Sequence, residues 1–174
     1  LTRIGNTCYF MANSHVAHDC LVGDNVIMAN GALLGGHAHV HNRAIISGNV
    51  GVHHWVTVGT SSFIGGMSRI VHDVPPFMLV EGHPSIVRCV NLVGLKRQGF
   101  TSDEIASLSE THRLIYRAKM GLEHAREILD SHSHLNVHVE QLLNFIDLQR
   151  KGAHGRQRDG GKKHTPPADK NKAA

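Results

Sequence analysis

The sequence predicts an all-β solenoid followed by α-helices, specifically a left-handed parallel β-helix of hexapeptide repeats with a C-terminal helical domain. Three observations carry that expectation: a large apolar residue recurs every six positions, a small residue or valine stands four places after each, and beyond residue 100 this period gives way to helical spacing.

The large residues are Ile4, Phe10, Val16, Val22, Met28, Leu34, Val40, Ile46, Val52, Val58, Ile64 and Ile70. The second register holds Cys8, Ser14, Cys20, Val26, Ala32, Ala38, Ala44, Val50, Val56, Ser62, Ser68 and Val74. Neither an α-helix nor a hairpin generates period six, whereas a triangular solenoid with one short strand per face does. Residues 1–75 are therefore expected to form about four coils of about eighteen residues each. Each coil buries its apolar row only against the coils above and below. Because the register is already running at Leu1, further coils are expected to precede it.

At Asp73-Val74-Pro75-Pro76 the hexad is expected to stop, since paired prolines supply no strand N–H donors. Residues 76–100 read as a connecting loop or short strands. Thr101 with Glu104 has the form of a capping box, and Ile105, Leu108, His112, Ile115, Tyr116 and Met120 follow at helical spacing. Gly121 is expected to break this helix, with a second from Leu122 to about Ser131. Val139, Leu142, Leu143 and Ile146 mark a third, ending near Arg150, so that 101–150 form the helical domain.

Residues 151–174 hold seven Lys/Arg and two Asp/Glu, a surplus larger than the net +4 of the chain. This tail has no apolar period and reads as solvated and disordered rather than as a nucleic-acid-binding segment. No apolar run reaches membrane-spanning length, and no signal peptide is visible. Three widely spaced cysteines, Cys8, Cys20 and Cys89, fit reduced thiols of a cytoplasm. With aromatic residues at only 5%, the core cannot be organised by large rings, and 16 histidines call for a separate explanation.

Stacking at eighteen residues places His18, Gly36, His54 and His72 in one column, with His15, His37 and His53 beside it. Histidine is suited to taking a proton from an alcohol at neutral pH when a neighbour fixes its tautomer and stabilises the imidazolium. Asp19 follows His18 directly, and Gly36, one coil on, offers a backbone N–H to a developing oxyanion. Cys20 stands in a small inward register and reads as packing, not as a nucleophile. Histidines on an exposed face are also common in proteins with no such chemistry.

The segments Met11-Ala12-Asn13-Ser14-His15-Val16-Ala17-His18-Asp19-Cys20, Leu34-Gly35-Gly36-His37, Val52-His53, Asp73-Val74-Pro75-Pro76 and Gly94-Leu95-Lys96-Arg97 resemble, in order, motifs of the UDP-N-acetylglucosamine acyltransferase family. The resemblance implies transfer of a 3-hydroxyacyl group from acyl carrier protein to the 3-hydroxyl of UDP-N-acetylglucosamine, the first step of lipid A synthesis in the bacterial cytoplasm, by a homotrimer. It implies His18 as general base, Asp19 as its partner and Gly36 as oxyanion donor, with His15, His37 and His53 lining the substrate cleft. Asn91 and Arg97 match positions associated with the nucleotide sugar, and Gly66 the site where side-chain size limits the acyl chain. The implied reaction is direct transfer, requiring no metal and no cofactor beyond the acyl carrier protein thioester. Gln98, Val93 and Pro84 depart from the family pattern around the nucleotide. Arg43, Arg69 and Arg88 are candidates for guiding an acidic carrier protein.

Three other readings share the fold. The γ-type carbonic anhydrases use a His-x4-His pair, and none of the sixteen histidines has a partner five places on. Another hexapeptide acyltransferase, such as the later N-acyltransferase of the same pathway, or a non-catalytic trimeric scaffold, remains open on the sequence. Val52-His53 and Gly94-Leu95-Lys96-Arg97 favour the O-acyltransferase over the N-acyltransferase.

Overall fold

The computed structural model describes residues 1–153 and 155. The expected tail lies largely outside these residues.

Twelve two-residue strands stack in parallel as three sheets. Sheet A holds Arg3–Ile4, Leu21–Val22, His39–Val40 and Thr57–Val58. Sheet B holds Tyr9–Phe10, Ile27–Met28, Ile45–Ile46 and Phe63–Ile64, and sheet C holds His15–Val16, Leu33–Leu34, Gly51–Val52 and Arg69–Ile70. Partners are eighteen residues apart throughout, as Arg3↔Leu21 and His15↔Leu33 illustrate. The second residue of each strand points inward. From Val22 onward this row is buried, and Met28, Ile46 and Ile64 stack at 0% exposure. Burying each such side chain contributes roughly 1.5–3 kcal/mol, so the inner columns dominate cohesion. At the N-terminal end Ile4 is 48% exposed, and Phe10 and Val16 are half-buried.

The corners between sheets depend on a backbone feature that the hexad spacing does not reveal. Three places after each inward large residue, from Thr7 to Met67, one residue per corner has φ between +54° and +69°. Asn13, Asp19, Asn25, Gly31 and Asn49 suit this left-handed conformation, whereas Trp55 and Met67 adopt it at a steric cost.

The coil does not end at the prolines as the sequence suggests. Val74 bridges to Val58, and Leu79–Val80 pairs in parallel with Phe63–Ile64, a step of sixteen residues instead of eighteen. The two missing residues come out of the corner between sheets C and A. There Asp73 Oδ1 accepts the Thr57 N–H at 2.7 Å, in the place where lower coils use a backbone carbonyl, as in His39 N–H to Val56 O. The segment expected as a loop or short strands is an antiparallel hairpin, Met78–Gly82 with Ser85–Val90, that extends sheet B and leads into a short helix, α1, Leu92–Arg97.

Helix α2, Ser102–His112, begins with the expected capping box: Thr101 Oγ1 accepts Glu104 N–H, and the Glu104 carboxylate accepts Thr101 N–H. It continues as a π-helix over Arg113–Arg117. Helices α3, Leu122–Ser131, and α4, Val137–Arg150, follow. Leu108, Leu129, Leu142 and Leu143 are fully buried between them, and Phe77 and Phe100 join this layer to the end of the solenoid through His138.

Candidate functional site

The turn between sheets C and A carries the histidine cluster. Asp19, His37 and Trp55 occupy the left-handed position of three successive coils, so their side chains rise one above another. His37 stacks on Trp55 with ring centroids 4.1 Å apart and planes 3° apart, and its edge meets His18 at 5.1 Å. Such stacking contributes about 0.5–1.5 kcal/mol, which recovers part of the roughly 1–2 kcal/mol per residue that the left-handed backbone costs. Trp55 was not singled out in the sequence, although its spacing of eighteen from His37 was the available signal.

His18 Nδ1 lies 3.0 Å from Asp19 Oδ2. An ionised Asp19 that accepts Nδ1–H leaves the His18 Nε2 lone pair free to take a proton. Gly36 sits directly against that nitrogen: a Cβ at residue 36 would lie 2.6 Å from Nε2. The Gly36 carbonyl accepts Trp55 N–H, while among the described residues its own N–H has no acceptor. At another corner, by contrast, the N–H groups of Asn6 and Asp24 are bonded by Asp24 and Asn42 side chains. Cys20, adjacent, donates to Gly35 O at 3.2 Å, and burial pushes its thiol up, which keeps it an inert packing group.

His18, Asp19, Gly36 and His37 are thus brought together, and the other expected residues lie farther out. His15 is exposed on sheet C below Leu33. His53 pairs with His54, with ring centroids 3.7 Å apart, one coil beyond Gly36. Gly66 is exposed at the corner between sheets B and C, where a Cβ would meet only Gly48 O at 3.4 Å and Ser47 Cβ at 3.9 Å.

Asn91 and Arg97 belong to a different surface. They line a mostly apolar cavity of about 770 Å³ over the outer face of sheet B, floored by Ile27, Ile45, Phe63 and Leu79. Asn91 is 4% exposed and caps α1: its Oδ1 accepts Gly94 N–H at 3.1 Å, and its Nδ2 donates to Ser61 O at 2.9 Å. Gln98 is built into the same join, its Oε1 accepting the Ser61 hydroxyl at 2.6 Å. Arg97 is exposed at the rim. The three arginines considered for carrier docking do not converge. Arg43 lines this cavity, Arg69 stands on sheet C, and Arg88 pairs with Glu81 at 3.2 Å.

Among the described residues no helix is long and apolar enough to cross a membrane. The family described as Udp N-acetylglucosamine O-acyltransferase, domain 2, matches residues 73–154, and the bacterial transferase hexapeptide repeat matches residues 1–36. The acyl-[acyl-carrier-protein]--UDP-N-acetylglucosamine O-acyltransferase of Paracidovorax citrulli is 49% identical over 87% of the chain, and that of Gloeothece citriformis is 47% identical over 84%. The chain spans 60% and 52% of their respective lengths. Among solved structures, the UDP-N-acetylglucosamine O-acyltransferase of Moraxella catarrhalis superposes with a TM-score of 0.77 at 36% identity, covering 84% of this chain and 57% of that one. The Arabidopsis UDP-N-acetylglucosamine acyltransferase gives 0.77 at 32%, covering 94% and 55%.

Proposed function

Since this chain belongs to the UDP-N-acetylglucosamine O-acyltransferase family, we propose that the whole protein moves a 3-hydroxyacyl group from the acyl carrier protein thioester to the 3-hydroxyl of UDP-N-acetylglucosamine, with His18 as general base. The observation that carries the residue assignment is the His18 imidazole held by Asp19 at 3.0 Å with Gly36 against its Nε2.

In this reading His18 Nε2 takes the proton of the sugar hydroxyl as its oxygen attacks the thioester carbonyl. Asp19 fixes the tautomer and stabilises the imidazolium, and the Gly36 N–H donates to the oxyanion. Collapse of the tetrahedral intermediate breaks the C–S bond. The imidazolium then returns its proton to the thiolate, so the product ester and the free carrier thiol leave the site with all atoms accounted for.

The separation of His18 from Asn91 and Arg97 supports a homotrimer in which neighbouring subunits share a site. Within one chain the nucleotide candidates lie over sheet B, away from the corner that carries the base. A second copy setting its sheet B surface against that corner would unite them.

The test is acyl transfer to UDP-N-acetylglucosamine by the full-length protein with and without His18→Ala. The expected loss is about 10²–10⁴-fold in kcat. Undiminished transfer by the variant would overturn the role given to His18.

A further inference from the structure

We infer that His18, Asp19 and His37 form a binding site for a transition-metal dication of the zinc class, and that its occupation silences transfer by taking the lone pair of the base. The second half rests on the role proposed for His18, whereas the first half does not.

One ligand atom from each of the three side chains lies within 4.8 Å of the other two, the single such grouping of three among the described residues. Tetrahedral zinc with bonds of about 2.0–2.1 Å sets its ligand atoms about 3.3 Å apart, so the cluster must contract by about 1.5 Å to hold the ion. The contraction is available where it is needed. The His18 side chain is 73% exposed and that of Asp19 42%, and both can rotate without disturbing the core. His37 is held against Trp55 and serves as the fixed point on which they close.

The donor set also selects the metal. Two imidazoles and one carboxylate suit zinc, nickel or copper and are a poor set for magnesium or calcium, which prefer all-oxygen shells. Three protein ligands at an exposed corner leave a fourth position for water and an open path for entry. Closing on the ion draws the Asp19 carboxylate off His18 Nδ1. A bound metal therefore occupies an imidazole lone pair of His18 and removes the carboxylate that fixes its tautomer, and either change silences the base.

The experiment is titration of untagged protein with zinc chloride against a chromophoric zinc indicator at neutral pH, alongside acyl transfer at the same free zinc. One zinc per chain is expected, displaced by a chelator and unaffected by magnesium. His37→Ala removes a direct ligand and should weaken binding by more than the roughly 10–100-fold typical of losing an outer-shell partner. His39→Ala should leave it unchanged, because His39 stands on sheet A and is the nearest histidine in sequence to offer a rival site. Circular dichroism of each variant checks that the solenoid is intact. Absence of stoichiometric binding, or binding lost with His39→Ala and kept with His37→Ala, overturns the site. Zinc bound with the expected variant pattern but without loss of transfer overturns the inhibitory half alone. Failure of the proposed function itself would appear separately, as a lack of transfer in metal-free protein.

Discussion

His37 lies flat on Trp55, ring centroids 4.1 Å apart and planes 3° apart, and both residues hold a left-handed backbone at the same corner of consecutive coils. The stack recovers part of the conformational cost of two bulky residues at positive φ and keeps His37 beside His18. Trp55→Ala is therefore expected to lower stability by about 0.5–1.5 kcal/mol beyond its lost surface burial, with Trp55→Phe recovering most of that stacking contribution. Urea unfolding midpoints of the three proteins check it, and equal losses for Ala and Phe would show that the stack contributes nothing.

Two neighbouring glycines should behave differently when given a methyl group. At Gly36 the three atoms nearest the added Cβ all belong to the His18 ring, the first at 2.6 Å, and that ring can swing away because the side chain is exposed. At Gly35 it meets the backbone nitrogen of His54 at 2.6 Å, and the coil itself must move. Gly36→Ala is expected to fold with an unchanged melting temperature while losing about 10²–10³-fold in kcat, the scale of a displaced base or oxyanion donor. Gly35→Ala is expected to destabilise by about 1–3 kcal/mol. Thermal unfolding of both variants with a transfer assay on Gly36→Ala separates the two effects.

The part of this architecture that repeats was readable, and the part that breaks the repeat was not. The spacing of Val22, Val40 and Val58 places the inward column because one strand pairing recurs unchanged in every coil. Continuation past Pro75 was hidden because the register drops two residues at Asp73, whose side chain replaces a carbonyl, a substitution that leaves no period behind. Helix α1 was missed because only Leu95 faces the core, too little for an amphipathic pattern, and the cap that fixes it is Asn91 bonding across to Ser61. The gathering of His18, Asp19, Gly36 and His37 follows from the eighteen-residue stack. The placement of Asn91 and Arg97 on another face depends on how the hairpin folds back, which the hexads do not encode.

Asn91 and Arg97, grouped by resemblance, should separate by experiment. Asn91→Ala removes a helix cap and leaves the buried Ser61 carbonyl without its donor, so a loss of about 2 kcal/mol is expected. Arg97 is exposed, and Arg97→Ala should change stability by less than about 0.5 kcal/mol. If Arg97 pairs with the diphosphate, KM for the nucleotide sugar rises about 10–100-fold with kcat preserved. An unchanged KM would remove Arg97 from the nucleotide site.

Acid should weaken the helical layer through His112. This residue is 6% exposed, its Nε2 is buried without a partner, and burial followed by the Arg117 charge holds its imidazole below the usual range. The unfolded chain takes up this proton near pH 6.5, about the ordinary histidine value, while the folded chain resists it to lower pH. Unfolded protein thus binds more protons in that window, and stability falls as pH drops through about 6.5. His112→Phe, which keeps a ring beside Tyr116, is expected to flatten the decline between neutral pH and the onset of carboxylate titration. Parallel slopes for wild type and variant, in urea midpoints against pH, would show that His112 does not contribute.

Gly66 offers a test of where an acyl chain runs. It is exposed at the corner between sheets B and C, and a Cβ there makes no contact closer than 3.4 Å, so a larger side chain can be added without disturbing the coil. An acyl chain leaving the His18 corner and crossing sheet C, past the half-exposed Leu33 and the open surface at Gly51, would reach Gly66 with its distal end. Gly66→Met places a side chain in that path and denies contact to about four methylenes. At about 0.8 kcal/mol each, this corresponds to a loss on the order of 100-fold in kcat/KM for a long donor. A donor short enough to stop before the corner should be transferred at the wild-type rate. The ratio of the two kcat/KM values, measured with wild-type and Gly66→Met protein of equal melting temperature, decides the matter: a ratio that moves toward the short donor puts the chain end at this corner, and an unchanged ratio means the chain runs elsewhere.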